Sequence, residues 1–121
     1  MYKVSFIEEE QYLKSVVLGE RKISQKTDGA TAWVKIAEYC KSKNVKNLLV
    51  ISKLTGQLDL VSSYDISSSL ELLGLSFLDK IAFVETSEEA YSINSFSKKY
   101  TGKVNVEIFN NEPNAKSWLI E

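Results

Sequence analysis

The chain has 121 residues, 44% of them apolar, with 15 basic and 16 acidic side chains, one cysteine and no histidine. That length suits one domain with its own core. The lone Cys40 excludes an internal disulfide. The lack of histidine excludes Ser-His-Asp and Cys-His nucleophile systems, and the longest apolar runs, Leu48–Ile51 and Ile81–Val84, fall far short of the roughly 20 residues a membrane helix needs.

Glu8-Glu9-Glu10 stands where a secretory leader would need an apolar stretch. The expectation is a single domain over residues 1–121, cytoplasmic and reduced. Residues 1–53 hold ten Lys/Arg against six Asp/Glu, and residues 54–121 hold five against ten. No block of five like charges occurs, so this imbalance reads as scatter over solvated faces.

Tyr2–Ile7 alternates, with Tyr2, Val4 and Phe6 on one side, as a half-buried strand does. Glu8–Gln11 is a polar turn, and Tyr12–Leu18 supplies a second strand that Gly19 ends. So short a link makes the pair an antiparallel hairpin. Thr27 and Asp28 can cap a helix whose Ala30, Trp33, Val34, Ala37 and Cys40 share one face. Leu48–Ser52 is an unbroken apolar run, the pattern of a strand covered on both faces.

In the second half, Ile66, Leu70 and Leu73 fall at i, i+4 and i+7 before Gly74, which reads as a helix with a glycine end. Lys80–Glu85 encloses a second buried strand. Thr86-Ser87-Glu88-Glu89 matches a capping box, with Thr86 at the cap and Glu89 reaching back. The helix it opens carries Ala90, Ile93, Phe96 and Ser97 inward and stops at Gly102. Val104, Val106 and Ile108 alternate as a last strand. Asn111 caps a C-terminal helix that tolerates Pro113 in its first turn and presents Ala115, Trp118 and Leu119. The order ββαβαβαβα predicts an α/β fold: a largely parallel, mixed five-stranded sheet entered by one hairpin and packed with four helices. Strand order is left open.

The glycines lie at 19, 29, 56, 74 and 102, never closer than ten apart. Neither GxGxxG nor a P-loop can therefore be formed. One cysteine cannot build a zinc or iron–sulfur site, and no Asp-rich calcium loop occurs, so no cofactor and no metal are expected. A phospho-receiver needs acidic residues after its strands, where this chain has Gly19-Glu20-Arg21 and Ser52-Lys53. Glu8–Glu10 read as a solvated turn, and Glu88 and Glu89 as complements to a helix dipole. Cys40 reads as a buried thiol beside Lys41, and Trp33 and Trp118 as packing. Lys41, Lys43 and Lys46 suit the negative end of a helix without any nucleic-acid partner.

Several stretches together resemble the stage II sporulation protein AA-like group of the STAS (sulfate transporter and anti-anti-sigma factor) superfamily. They are Leu13-Lys14-Ser15-Val16-Val17-Leu18-Gly19-Glu20, Asn47-Leu48-Leu49-Val50-Ile51, Asp79-Lys80-Ile81-Ala82-Phe83-Val84, and the tail from Ile108 to Leu119 with Phe109, Glu112, Ala115 and Trp118-Leu119. The resemblance spans nearly the whole chain and specifies a fold more than an activity. It implies an Asp-Ser-Ser-Gly motif opening the helix after a central strand, with a serine there phosphorylated by a kinase. The corresponding stretch is Val61-Ser62-Ser63-Tyr64, which keeps the serines but has valine for Asp and tyrosine for Gly. Without a phosphate, Ser62 or Ser63 would simply cap the helix.

Two functional expectations follow. The first is a non-catalytic regulatory module that docks a protein partner through the Ser52–Ser63 loop, with Ser62 and Ser63 as docking or phospho-acceptor residues. The second is binding of a small apolar or lipid-like ligand, since similar sequences are grouped with SEC14-like domains and Leu54, Leu58, Leu60, Val61 and Tyr64 bring apolar side chains to that loop. An enzyme is disfavoured by the missing constellations. A homodimer through an edge strand or the last helix is compatible with the pattern but not demanded by it.

Overall fold

The computed structural model of the chain describes residues 1–22 and 27–121. Strands β1 (Lys3–Glu8) and β2 (Leu13–Glu20) form the hairpin. Helix α1 (Asp28–Lys43), strand β3 (Asn47–Thr55), helix α2 (Leu60–Ser69), strand β4 (Lys80–Glu85), helix α3 (Glu88–Ser97), strand β5 (Val106–Phe109) and helix α4 (Glu112–Ile120) follow. Single turns of 3-10 helix stand at Leu75–Phe77 and Lys98–Tyr100. The sheet order is β1-β2-β3-β4-β5, with β1 antiparallel to β2 and every other pair parallel. This is the α/β, ββαβαβαβα architecture that the sequence predicts.

One physical rule positions the helices. From β2 onward each new strand is added on the same side of the last, and each parallel crossover is right-handed in nearly all sheets. The three crossover helices therefore fall on one face. Strand alternation places Leu13, Val17, Leu48, Val50 and Ile81 on that front face, where they pack with Ala32, Trp33, Ile36, Ala37 and Cys40 of α1 and with Leu70 just after α2. The intervening residues Leu49, Ile51, Ala82 and Val84 point to the back, where α4 covers them with Ala115 and Leu119. The terminal helix α4 is no crossover, so it is free to cover the back. It reaches β2 through the Lys14–Glu112 pair but leaves part of the hairpin uncovered, where Ile7 and Leu18 stay about half exposed.

Several boundaries differ from the sequence reading. Helix α1 turns Ala32, Trp33, Ile36, Ala37 and Cys40 inward, leaving Ala30 exposed and Val34 39% exposed. Residues 30–37 are mostly apolar and admit two stripes, and the one that includes Ile36 buries more. The Thr27 side chain makes no cap hydrogen bond, and Asp28 pairs with the N-terminal ammonium. Helix α3 is capped by Ser87, which accepts from the Ala90 amide, not by Thr86. That one-residue shift puts Ala90, Asn94 and Ser97 on the inner stripe and swings Phe96 out to 51% exposure, under the Lys99 ammonium at 4.1 Å from the ring centre. Strand β5 begins at Val106. Val104 is buried before it, with its carbonyl accepting from the Thr101 hydroxyl. Helix α2 starts at Leu60 under an Asp59 cap and stops before Leu70. Gly74, at φ 80, instead opens the 3-10 turn that follows.

Strand β2 runs through Gly19 to Glu20, and β3 continues to Thr55, so the first residues of the expected Ser52–Ser63 loop are strand. Asn111 caps α4 by accepting from the Asn114 amide. Cys40 is wholly buried, and burial pushes its thiol up to about 11. Lys41, in the last turn of α1, donates to the Leu73 carbonyl beyond α2.

Candidate functional site

Helix α2 stands away from the sheet. Ser63 is its one buried residue, and α2 is held mainly by α3 and the 3-10 turn after it. Beneath it, between the front face and α1, lies a cavity of about 760 Å³ with a mainly apolar wall. Its floor is Val17, Val50, Phe83, Val106 and Ile108, and its sides are Trp33 and Ile36 of α1 and Ile66 with Leu70 from the α2 side. Trp33 stacks on Phe83 at 6.1 Å between ring centres.

A sealed, dry void of this size would cost about 18 kcal/mol at roughly 24 cal/mol per Å³, which exceeds the ~5–15 kcal/mol stability of a whole domain. The cavity is accordingly open to one side. Its volume falls inside the range of about 300–1,000 Å³ typical of small-molecule sites.

Polar groups collect where the parallel strands end at their carboxyl side. Arg21 follows β2, Ser52 lies near the end of β3, and Glu85 ends β4 as the register partner of Ser52. The Arg21 guanidinium donates to Glu85 Oε2 at 2.9 Å and to the Gly56 carbonyl at 3.3 Å. Asn94 of α3 donates to the same Glu85 oxygen at 3.3 Å and accepts from the Ser63 hydroxyl at 2.8 Å. Ser63, Asn94, Glu85 and Arg21 thus form one chain of hydrogen bonds from α2 to the end of β2.

Glu85 is 1% exposed. Burial holds its carboxyl above the usual carboxylate range, with the Arg21 charge and the nearby Ser52 hydroxyl pulling the other way. The Ser52 hydroxyl is itself 2% exposed and makes no hydrogen bond of standard geometry. Arg21 and Ser52 line the cavity, whereas Glu85 sits behind them.

The structure gathers some of the expected site residues and separates others. Leu54, Leu58, Ser62 and Ser63 all line the cavity. Leu60 and Tyr64 lie on the outer side of α2, 50% and 45% exposed, and Tyr64 meets Tyr100 edge-on at 4.9 Å. Neither Ser62 nor Ser63 is the cap. Asp59 is, and its carboxylate accepts from both the amide and the hydroxyl of Ser62. Three residues earlier than Ser62, it is the stronger acceptor for the first-turn amides. Ser63 is 3% exposed.

Arg21, Ser52, Glu85 and Asn94 were not singled out from the sequence. The available signal was alternation carried one step further, since Ile81, Phe83 and Glu85 share a face, as do Leu48, Val50 and Ser52. Among the described residues, no group of three or more Asp, Glu, Cys or His side chains could hold a metal, and no helix is long and apolar enough to cross a membrane.

No protein-family model matches the sequence, and no curated protein matches it. Among solved structures, the chain is similar to an uncharacterized protein of the DUF3478 family with a SpoIIAA-like fold from Shewanella loihica PV-4. The identity is 13%, the match covers 98% of this chain and 95% of that one, and the TM-score is 0.56. The fold is SpoIIAA-like, and the resemblance seen in the sequence is met at that level.

Proposed function

We propose that this domain binds a small, mostly apolar molecule between the sheet and helices α1 and α2, and acts through that binding, not by catalysis. The observation that carries the reading is the open apolar cavity of about 760 Å³. Charged groups on its wall already have partners: Arg21 pairs with Glu85, Lys98 with Glu107, and Asp59 accepts from Ser62. An apolar floor with a few polar groups at one end suits recognition by burial, with orientation supplied by hydrogen bonds. Native mass spectrometry of the purified protein tests this. A one-to-one adduct of a few hundred daltons, absent from an Ala32→Phe variant that fills the cavity, supports it. A bare mass, unchanged when an excess of an amphiphile such as dodecanoic acid is added, refutes it.

A second reading, docking of a protein partner, is favoured by the outer side of α2, where Leu60, Val61 and Tyr64 are 50%, 66% and 45% exposed. On this reading the outer row is the contact, and a switch at Ser63 would first have to release its hydroxyl from Asn94. Val61→Lys leaves the cavity wall untouched. Loss of a co-purifying partner from this variant, with the small-molecule adduct retained, would favour docking at that row.

A further inference from the structure

The cavity's polar end carries information about the molecule that fills it. Ser52 is 2% exposed and belongs to the cavity wall, and its hydroxyl lies near the Glu85 carboxylate without making a hydrogen bond of standard geometry. A buried hydroxyl left without a well-aligned hydrogen bond is costly, up to about 1–3 kcal/mol where it has none, and a ligand oxygen placed against it would reduce that cost. Beside it, Arg21 spends two of its five N–H groups, one on Gly56 and one on Glu85, among the described residues. The others leave donors at the same end of the cavity.

At that end the lining includes the cations Arg21 and Lys22 and, among the described residues, one carboxylate, Asp59. Asp59 already accepts from Ser62. A second ammonium would meet this set unfavourably, whereas an oxygen acceptor would meet donors. Two residues back along β3, Val50 begins the apolar floor, which runs on through Phe83 towards Leu70 and Ile36. The wall therefore changes from donor-rich to apolar along one direction.

Resting on the ligand-binding reading above, we infer that the ligand is an amphiphile whose polar end is an acceptor oxygen, a carboxyl or carbonyl group, seated against the Ser52 hydroxyl and the Arg21 guanidinium, with its hydrocarbon part over Val50 and Phe83. A cationic head group is selected against.

Titration calorimetry of the full chain with dodecanoic acid, methyl dodecanoate and dodecylamine, on the wild type and on Ser52→Ala, tests this. Both oxygen-bearing probes are expected to bind at least tenfold more tightly than the amine. Tighter binding of the acid assigns the end to a carboxylate, and equal binding assigns it to a neutral carbonyl. Ser52→Ala is expected to weaken the oxygen-bearing probes by roughly fivefold to tenfold and to leave the amine unchanged. Equal binding of acid and amine, or a Ser52→Ala variant that binds the acid as the wild type does, overturns the inference while the cavity reading stands. Binding of none of the three probes overturns both.

Discussion

Glu85 is held between two opposing effects, of which burial is the larger and Arg21 the next. The sign of the resulting pH dependence is fixed. Its carboxyl pKa is higher folded than unfolded, so the folded state binds the proton more tightly and its charge is a cost at neutral pH. That cost is relieved as pH falls through the raised value towards the ordinary 4.5. Glu112 behaves oppositely. Hydrogen bonds from Lys14 and then Lys116 hold its carboxyl below 4.5, so its contribution is lost only as pH falls below that value. Chemical denaturation across pH should therefore show stability rising on mild acidification from neutral pH and falling again below about 4.5. Glu85→Gln should lack the rise, and a wild-type curve without it would contradict this assignment. Arg21→Ala should cost about 3–5 kcal/mol at neutral pH, the usual penalty for stranding one member of a buried pair, with part of the loss recovered on acidification as Glu85 takes a proton. This network was only half legible. The parity of Glu85 with Ile81 and Phe83 marks it as inward, but its partner Arg21 lies 64 residues away, and nothing local in the sequence couples the two.

Helix ends were legible where one residue type dominates and shifted where several compete. Asn111, followed by Pro113, gave the start of α4 directly. At α3, Thr86 and Ser87 are both competent caps, and inward packing of Ala90 and Ser97 decided for Ser87. At α2, Ser62 and Ser63 drew the reading away from Asp59, although all three lie within five residues. Because α2 buries little and spans the cavity, its cap carries a larger share of its stability than usual. Asp59→Ala should cost about 1 kcal/mol globally, and amide exchange should quicken along α2 while α4 is unaffected. Uniform exchange in both helices would contradict the picture of α2 as the loosely held wall. The turn before it is equally constrained. Gly56 has φ 83, and a side-chain carbon there would lie 2.8 Å from the Arg21 carbonyl oxygen. Gly56→Ala should therefore lose about 1–2 kcal/mol from the left-handed conformation alone, more if the Arg21 segment must shift. Urea denaturation reads both variants.

The order of strands and helices was legible because turns punctuate apolar runs, and the handedness of parallel crossovers then dictates much of the packing once strand order is known. Strand order itself was not legible, because β3 and β4 are both short apolar runs that pattern alone cannot rank. Nor was the cavity. Ile66, Leu70, Val50 and Phe83 read as ordinary core residues, and only the assembled molecule separates α2 from the sheet enough to leave space between them. The two faces consequently differ in kind. The back is closed by α4 over Leu49, Ile51, Ala82 and Val84, whereas the front keeps an open interior lined by Val17, Val50, Val106 and Ile108. Methyl NMR during addition of dodecanoic acid tests this distinction most directly. Shifts should concentrate on Val17, Val50, Val106, Ile108, Ile66 and Leu70, while Leu49, Ile51, Val84 and Leu119 remain still. Shifts centred on the back face or on the outer row Leu60–Val61, or no shifts at all, would contradict a ligand site between the sheet and α2.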